Sequence, residues 1–216
     1  MSRTVTVVDY GVGNLLSIAR AVERVGAVAR ISGDADEVAD AELLVLPGVG
    51  AFGHCADNLR AAALAEPVRT FAASGRPFLG ICVGMQLLFD YGTEFGRHAG
   101  LGLIPGSVEA IPAESNGTRR KVPHIGWSAL QLPPGRSDWA RTAFAGLTPS
   151  CSSAYFVHSF TGRPAHPAHL LATVDHQSFE VCAAVRRENV TGVQFHPEKS
   201  GPVGLAVLEA FLTRRD

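Results

Sequence analysis

Features that mark secreted, membrane or nucleic-acid-binding chains are scarce in this sequence. Its 216 residues hold only four cysteines, Cys55, Cys82, Cys151 and Cys182, and no C-x-x-C pair. A disulfide framework is therefore not indicated, and a chain of this length can bury a core without one. A reducing compartment fits best. No apolar run reaches the roughly 18 residues that a membrane-spanning helix needs. Met1-Ser2-Arg3-Thr4 leads straight into Val5-Thr6-Val7-Val8, without the apolar stretch and small-residue cleavage site of a signal peptide. The expectation is a soluble, cytoplasmic protein without a membrane partner. Excess charge is missing too: 19 Lys and Arg stand against 20 Asp and Glu. The short basic runs Arg119-Arg120-Lys121 and Arg186-Arg187 are isolated, as solvated surface is, so no nucleic-acid partner is expected. There is no internal repeat, low-complexity tract or linker. With 46% hydrophobic and 18% charged residues, the whole of 1–216 reads as a single globular domain.

What is present in the first half is an alternation of short apolar runs with helical periodicity, the pattern of parallel strands under crossover helices. Val5 to Asp9 reads as a strand. Leu15, Ile18, Ala19, Val22 and Val25 then recur at helical spacing until Gly26 stops them. Val28 to Ile31 and Leu43 to Leu46 are further strands, the latter closed by Pro47-Gly48. His54 to Ala73 is helical, with Pro67 starting a fresh turn. Phe78 to Ile81 is the fourth strand, and Gly84 to Phe89 looks like the start of another helix. From Gly92 to Pro149 the signal weakens to short strands such as Val108 to Ile111. Strands at Ala154 to Phe160, Leu170 to Val174, Glu180 to Val185 and Val190 to Phe195 then precede a helix from Val203 to Thr213. The expected architecture is α/β, a mostly parallel central sheet flanked by helices with an antiparallel C-terminal portion.

Gly80-Ile81-Cys82-Val83-Gly84 sits where a buried strand gives way to a helix, the context of a nucleophile elbow with Cys in place of Ser. A sharp turn there presents the central side chain, flanking glycines tolerate the crowding, and the helix N-terminus favours a thiolate. The Val83 amide would face an oxyanion formed in acyl transfer. The same pentapeptide also fits a small buried cysteine in a glycine-bounded turn. Val193-Gln194-Phe195-His196-Pro197-Glu198 ends another strand with a histidine and sets a carboxylate two residues on. Glu198 could fix the His196 tautomer whose Nε2 takes a thiol proton. Alone, this stretch fits a surface His-Pro-Glu turn at the mouth of the final helix better than a triad. Together, two strand C-termini bearing Cys82 and His196 can meet at one edge of an open α/β sheet. Of the other histidines, His158 follows a strand. His166-Pro167-Ala168-His169 has loose metal-like spacing without a cysteine or acidic cluster, so no metal is expected. His54, His98, His124 and His176 have no partner that the sequence names.

These residues are part of a wider pattern. Val8-Asp9-Tyr10-Gly11-Val12-Gly13-Asn14-Leu15, Leu46-Pro47-Gly48-Val49-Gly50-Ala51-Phe52 and Gly80 to Leu88 resemble class I, triad-type glutamine amidotransferases. So do Val122-Pro123-His124-Ile125-Gly126-Trp127, Tyr155-Phe156-Val157-His158-Ser159 and Gln194 to Ser200. Within that class the blocks are similar to the glutaminase subunits of imidazole glycerol phosphate synthase, and they run in order from residue 8 to residue 200. The resemblance implies a flavodoxin-like fold, no cofactor, glutamine as substrate and a Cys82, His196, Glu198 triad. It makes Pro47 to Gly50 an oxyanion strand whose Val49 amide joins that of Val83, a Gly-flanked segment suited to reorganising when the partner is occupied. Gln86, Ser159 and the Gly50 region would hold glutamine. Asn14, Trp127, Tyr155 and Lys199 would touch a (β/α)8-barrel cyclase in a heterodimer, which takes up the ammonia. Ser128 stands where the family pattern has Asn, which puts a local polar contact in doubt. Other readings stay open: a glutaminase subunit of a pyridoxal phosphate synthase, a stand-alone γ-glutamyl cysteine hydrolase, or a silent binding module.

Overall fold

The computed structural model of the chain describes residues 2–115 and 117–213, so Met1 lies outside the described residues. The first half runs β1 (Thr4–Val8), α1 (Leu15–Arg24), β2 (Val28–Ser32), α2 (Ala35–Ala39), β3 (Leu43–Leu46), α3 (Phe52–Ala61), α4 (Ala65–Ala73), β4 (Phe78–Ile81) and α5 (Val83–Gln86). Then come β5 (Phe89–Gly92), β6 (His98–Ala99), β7 (Ile104–Ala110), β8 (Glu114–Ser115), β9 (Thr118–Arg119) and β10 (His124–Ala129). The last part holds β11 (Ser153–His158), β12 (Phe160–Pro164), β13 (Leu170–Asp175), β14 (Glu180–Arg187), β15 (Val190–Val193) and α6 (Gly201–Thr213).

The main sheet has seven strands in the order β13-β14-β15-β4-β3-β1-β2. From β15 to β2 every pair is parallel, while β14 and β13 run antiparallel. This is the expected mixed sheet, and the order reverses at β1 and β3 as in flavodoxin-like folds. The central strands β3 and β4 carry no polar side chain, as strands covered on both faces require. Every residue of β3 and β4 is buried. Each such Val, Leu or Phe contributes about 1.5–3 kcal/mol relative to an exposed position, far more than helix propensity contributes per residue. The edge strand β2 differs, leaving Val28 and Ile31 exposed.

Local chemistry explains the helix ends. In α1 the buried face is Ile18, Ala19, Ala21 and Val22, and Gly26, at φ 89°, closes the helix by donating to the Glu23 carbonyl. The stretch from His54 to Ala73 is two helices instead of one. Ala63 turns left-handed at φ 57° between them, so that Pro67 falls in the first turn of α4, where its missing N–H costs nothing. The helix expected from Gly84 to Phe89 is a single turn, after which Phe89 starts β5. That strand belongs to a second sheet, β12-β7-β5-β6. The run from Ala154 to Phe160 is likewise divided: β11 pairs antiparallel with β10, and β12 joins β7. The run does not reveal this division, because β11 and β12 are separated only by Ser159, with no Gly or Pro between them to mark a break.

Candidate active site

β4 ends at Ile81 and α5 begins at Val83, so Cys82 makes the turn by itself, at φ 55° and ψ −115°. For a residue with a side chain this conformation costs on the order of 1–3 kcal/mol, and the surroundings must impose it. The Cys82 amide donates to the Val193 carbonyl at 2.8 Å, and its carbonyl accepts from Gln86 N–H at 3.1 Å. The two glycines of the motif are sterically required. A Cβ on Gly84 would lie 2.0 Å from the Leu46 carbonyl oxygen, and one on Gly80 would lie 2.8 Å from the Gly84 oxygen. The elbow is thus wedged against the end of β3.

β15 lies beside β4 in parallel, with Val193 opposite Ile81. This adjacency brings Cys82 and His196 together across 114 residues of sequence (196 − 82). Pro197–Lys199 forms a short helical turn that α6 packs against closely; a Cβ on Gly204 would meet the Pro197 oxygen at 2.0 Å. Ser200 ties the turn down by donating to the His196 carbonyl at 2.7 Å while accepting from Tyr155 N–H at 3.0 Å. Held this way, Nδ1 of His196 donates to Oε1 of Glu198 at 2.9 Å, with side chains only 6% and 2% exposed. Burial alone lowers the His196 pKa. Hydrogen bonds with Cys82 and Glu198, together with their charges, outweigh it and raise the pKa to about 9. At neutral pH the ring therefore carries a proton beside the Cys82 sulfur.

These residues open on a cleft of about 370 Å³. Val49, Gly50, Cys82, Val83, Gln86, Ser159, His196 and Lys199, all singled out in the sequence, line it. Glu198 does not, since it stands behind His196. The segment after β3 is anchored at two points: the Tyr10 hydroxyl donates to the Pro47 carbonyl at 2.7 Å, and the Cys55 thiol donates to the Val49 carbonyl at 3.2 Å. Trp127 and Tyr155 are register partners on β10 and β11, with rings 6.1 Å apart, and Trp127 is 58% exposed. Asn14 precedes α1 without capping it by its side chain.

A family model described as glutamine amidotransferase class-I matches residues 6–214. The chain belongs to the class-I glutamine amidotransferases. Among class-I relatives, the chain is 45% identical over 210 residues to "Imidazole glycerol phosphate synthase subunit HisH 1" of Legionella pneumophila (strain Lens), covering 97% of this chain and 98% of the relative. It is 47% identical over 211 residues to the HisH subunit of Rhodopirellula baltica, covering 97% of each. The solved structure of PurLQS from Thermotoga maritima matches with a TM-score of 0.71 at 22% identity, covering 98% of both chains, a likeness of fold. The resemblance noted in the sequence is borne out, both to the class-I family and to the glutaminase subunits of imidazole glycerol phosphate synthase.

Several residues in and around this amidotransferase cleft carried no assigned role in the sequence. Gln194 is fully buried beside Cys82, and His158 and His124, also buried, adjoin the cleft wall. A polar residue inside the apolar run Val193-Gln194-Phe195 was the one available signal for Gln194. Glu94 also lines the cleft and accepts the Phe52 N–H at 2.8 Å, satisfying a donor in the first turn of α3. Ser128, the departure from the family pattern, retains a polar contact: its hydroxyl lies 2.9 Å from Nε2 of His124. Among the described residues no group of three or more His, Cys, Asp or Glu could hold a metal ion, and no helix is long and apolar enough to cross a membrane.

Proposed function

We propose that this chain, acting as one glutaminase domain over 1–216, is the glutamine-hydrolysing subunit of an imidazole glycerol phosphate synthase. The observation that carries this reading is the strained Cys82 elbow beside the His196–Glu198 pair on adjacent strand ends. Near-full-length similarity to HisH subunits supports the choice of synthase. The Cys82 sulfur attacks the side-chain amide carbon of glutamine, and the Val83 and Val49 amides bind the developing oxyanion. His196, protonated at neutral pH, gives its proton to the leaving nitrogen. Ammonia departs and a γ-glutamyl thioester remains. Water activated by the now neutral His196 hydrolyses it, the ring taking up the water's proton as the sulfur leaves, which releases glutamate and restores the thiolate–imidazolium pair. Glu198 orients the ring and stabilises its charged form.

Gly50, Gln86 and Ser159 line the cleft where the glutamine would lie. Trp127, Tyr155 and Lys199, with Asn14 before α1, would make the face for a cyclase subunit built as a (β/α)8 barrel. That partner uses ammonia to form imidazole glycerol phosphate and an aminoimidazole carboxamide ribotide in histidine biosynthesis, in the cytoplasm. Co-purification with the cyclase, followed by glutamate release with and without the cyclase's ribotide ligand, tests the assignment. Slow turnover alone and a rise in kcat with ligand-bound cyclase are expected. Fast glutamate release by the lone subunit, unaffected by the cyclase, would instead support an independent γ-glutamyl hydrolase.

A further inference from the structure

One backbone carbonyl fixes the polarity of a buried network that ends on the nucleophile. The Phe160 oxygen lies 2.7 Å from Nδ1 of His158 and 3.4 Å from Nε2 of Gln86. A carbonyl only accepts, so both nitrogens donate. Burial holds His158 and His124 neutral, lowering their pKa values to about 3 and about 4. A neutral ring that donates through Nδ1 accepts through Nε2, so His158 takes the Nδ1–H of His124 at 3.2 Å. Nε2 of His124 then accepts from the Ser128 hydroxyl at 2.9 Å. On the other branch, the Gln86 amide nitrogen also donates to Oε1 of Gln194 at 3.0 Å. That leaves Nε2 of Gln194 facing Sγ of Cys82 at 3.7 Å.

Gln194 is 0% and Gln86 3% exposed. Two primary amides in an apolar interior are costly unless their hydrogen bonds are met, and apolar side chains of similar size would pack there without that cost. Packing alone therefore does not call for glutamine at 194. Its amide N–H is directed at the one sulfur that must carry negative charge in the proposed reaction, and bonds from N–H groups to charged acceptors are the strong ones.

We propose that Gln194 is a positioning residue for Cys82: its side-chain N–H holds the sulfur toward His196 and stabilises its anion, while Gln86 and the Phe160 carbonyl fix the direction of that amide. This rests on the reading of Cys82 as nucleophile. The network also gives Gln86 a structural duty in the resting protein, with its amide nitrogen already occupied by two acceptors.

The test is the pH dependence of Cys82 alkylation by iodoacetamide, followed by peptide mapping, in wild type, Gln194→Met and Gln194→Glu. The full chain is used without glutamine or cyclase. The other ionisable groups near the sulfur, His196 with Glu198 behind it, Cys55 from α3, Tyr10 after β1, and Glu94, His158 and Lys199 around the cleft, are the same in all three proteins. The onset of alkylation should move up by about one pH unit in both variants. In complex with the cyclase, kcat should fall about tenfold with the KM for glutamine changed less than about twofold. Gln86→Met, which leaves Gln194 in place but unanchored, should shift the onset in the same direction by less. A folded Gln194→Met protein with the wild-type alkylation profile overturns the proposal. Should circular dichroism show both Gln194 variants unfolded, Gln86→Met decides, and an unshifted onset there overturns it equally. Wild-type Cys82 that resists alkylation at every pH counts against the nucleophile itself, a result distinct from failure of the Gln194 role.

Discussion

The Cys55 thiol donates to the Val49 carbonyl at 3.2 Å, so a second cysteine lies next to the segment expected to complete the oxyanion hole. Its role there is that of a protonated donor. Burial pushes the Cys55 thiol pKa up, against the hydrogen bonds with Tyr10 and Val49. Cys182 is buried too, and its pKa is pushed up to about 12. Cys151 is exposed but has no described base beside it. A glutamine-mimicking electrophile should therefore label Cys82, with Cys55 and Cys182 spared and Cys151 modified only slowly, as an ordinary surface thiol. Peptide mapping after partial inactivation reads this directly. Inactivation that follows labelling at Cys55, with Cys82 unmodified, would reassign the nucleophile.

His196 and Glu198 make a prediction with a definite sign. A folded-state pKa raised from 6.5 to about 9 contributes stability that is fully present below about 6.5 and lost as pH climbs through about 9. The melting temperature of wild type should fall over that window more steeply than that of His196→Asn. Glu198→Gln keeps an acceptor for Nδ1 but removes the charge, so its loss of stability should begin at lower pH. In glutamate release His196→Ala should be the worse variant, because it removes the proton carrier. The serine triad loses about 10⁴-fold without its acid, and a thiol ionises more easily, so Glu198→Gln should lose less than that here. Parallel stability curves and negligible kinetic losses in both variants would reduce the pair to a turn.

How much of this could be read from the chain depends on which forces act locally. The strands at Leu43 to Leu46 and Phe78 to Ile81 are legible because burial on both faces demands unbroken apolar runs. The G-x-C-x-G elbow is legible because only glycine permits the contacts with Leu46 and Gly84. The second sheet was not legible. β5 follows a one-turn helix, β6 has only two residues, and β7 begins Ile104-Pro105-Gly106, which breaks the apolar alternation of a strand. The network from Ser128 to Cys82 was hidden for another reason. Its members come from β10, β11, α5 and the end of β15, and nothing in local spacing predicts that one carbonyl at Phe160 joins them.

Gly84 gives the sharpest steric prediction. Its Cβ would lie 2.0 Å from the Leu46 oxygen, and no flexible side chain is there to move aside. Gly84→Ala should cost about 3 kcal/mol or more, through displacement of β3 from the elbow. Thermal unfolding measures it. Gly135→Ala, at a φ of 83° with nothing within 4 Å of the added carbon, is a useful comparison that isolates backbone strain. Equal losses in the two would mean that the close approach of Leu46 is not what requires glycine.

Trp127 is more than half exposed, yet it is part of a motif and stacked edge-on against Tyr155. An aromatic anchor of this kind, at the face proposed for the cyclase, should cost about 2 kcal/mol or more of binding when truncated. Trp127→Ala should weaken capture of the cyclase in titration calorimetry while leaving Cys82 alkylation by iodoacetamide unchanged in the lone subunit. Unaltered affinity would move the docking face elsewhere.

Generation and use of ammonia are assigned to different proteins, and that division can be separated experimentally. In Cys82→Ala the elbow keeps its shape, because alanine has the same Cβ and the backbone contacts with Val193 and Gln86 remain. No thioester can form, so product formation from glutamine should vanish. The cyclase needs only ammonia. With the variant subunit bound and an ammonium salt supplied at alkaline pH, where more of it is free NH₃, imidazole glycerol phosphate should still appear. Failure of external ammonia to rescue synthesis, when the cyclase alone uses ammonia under the same conditions, would contradict the assignment of ammonia use to the partner. Product made by the variant complex from glutamine alone would show that Cys82 does not carry the acyl group, and the proposed reaction would fall with it.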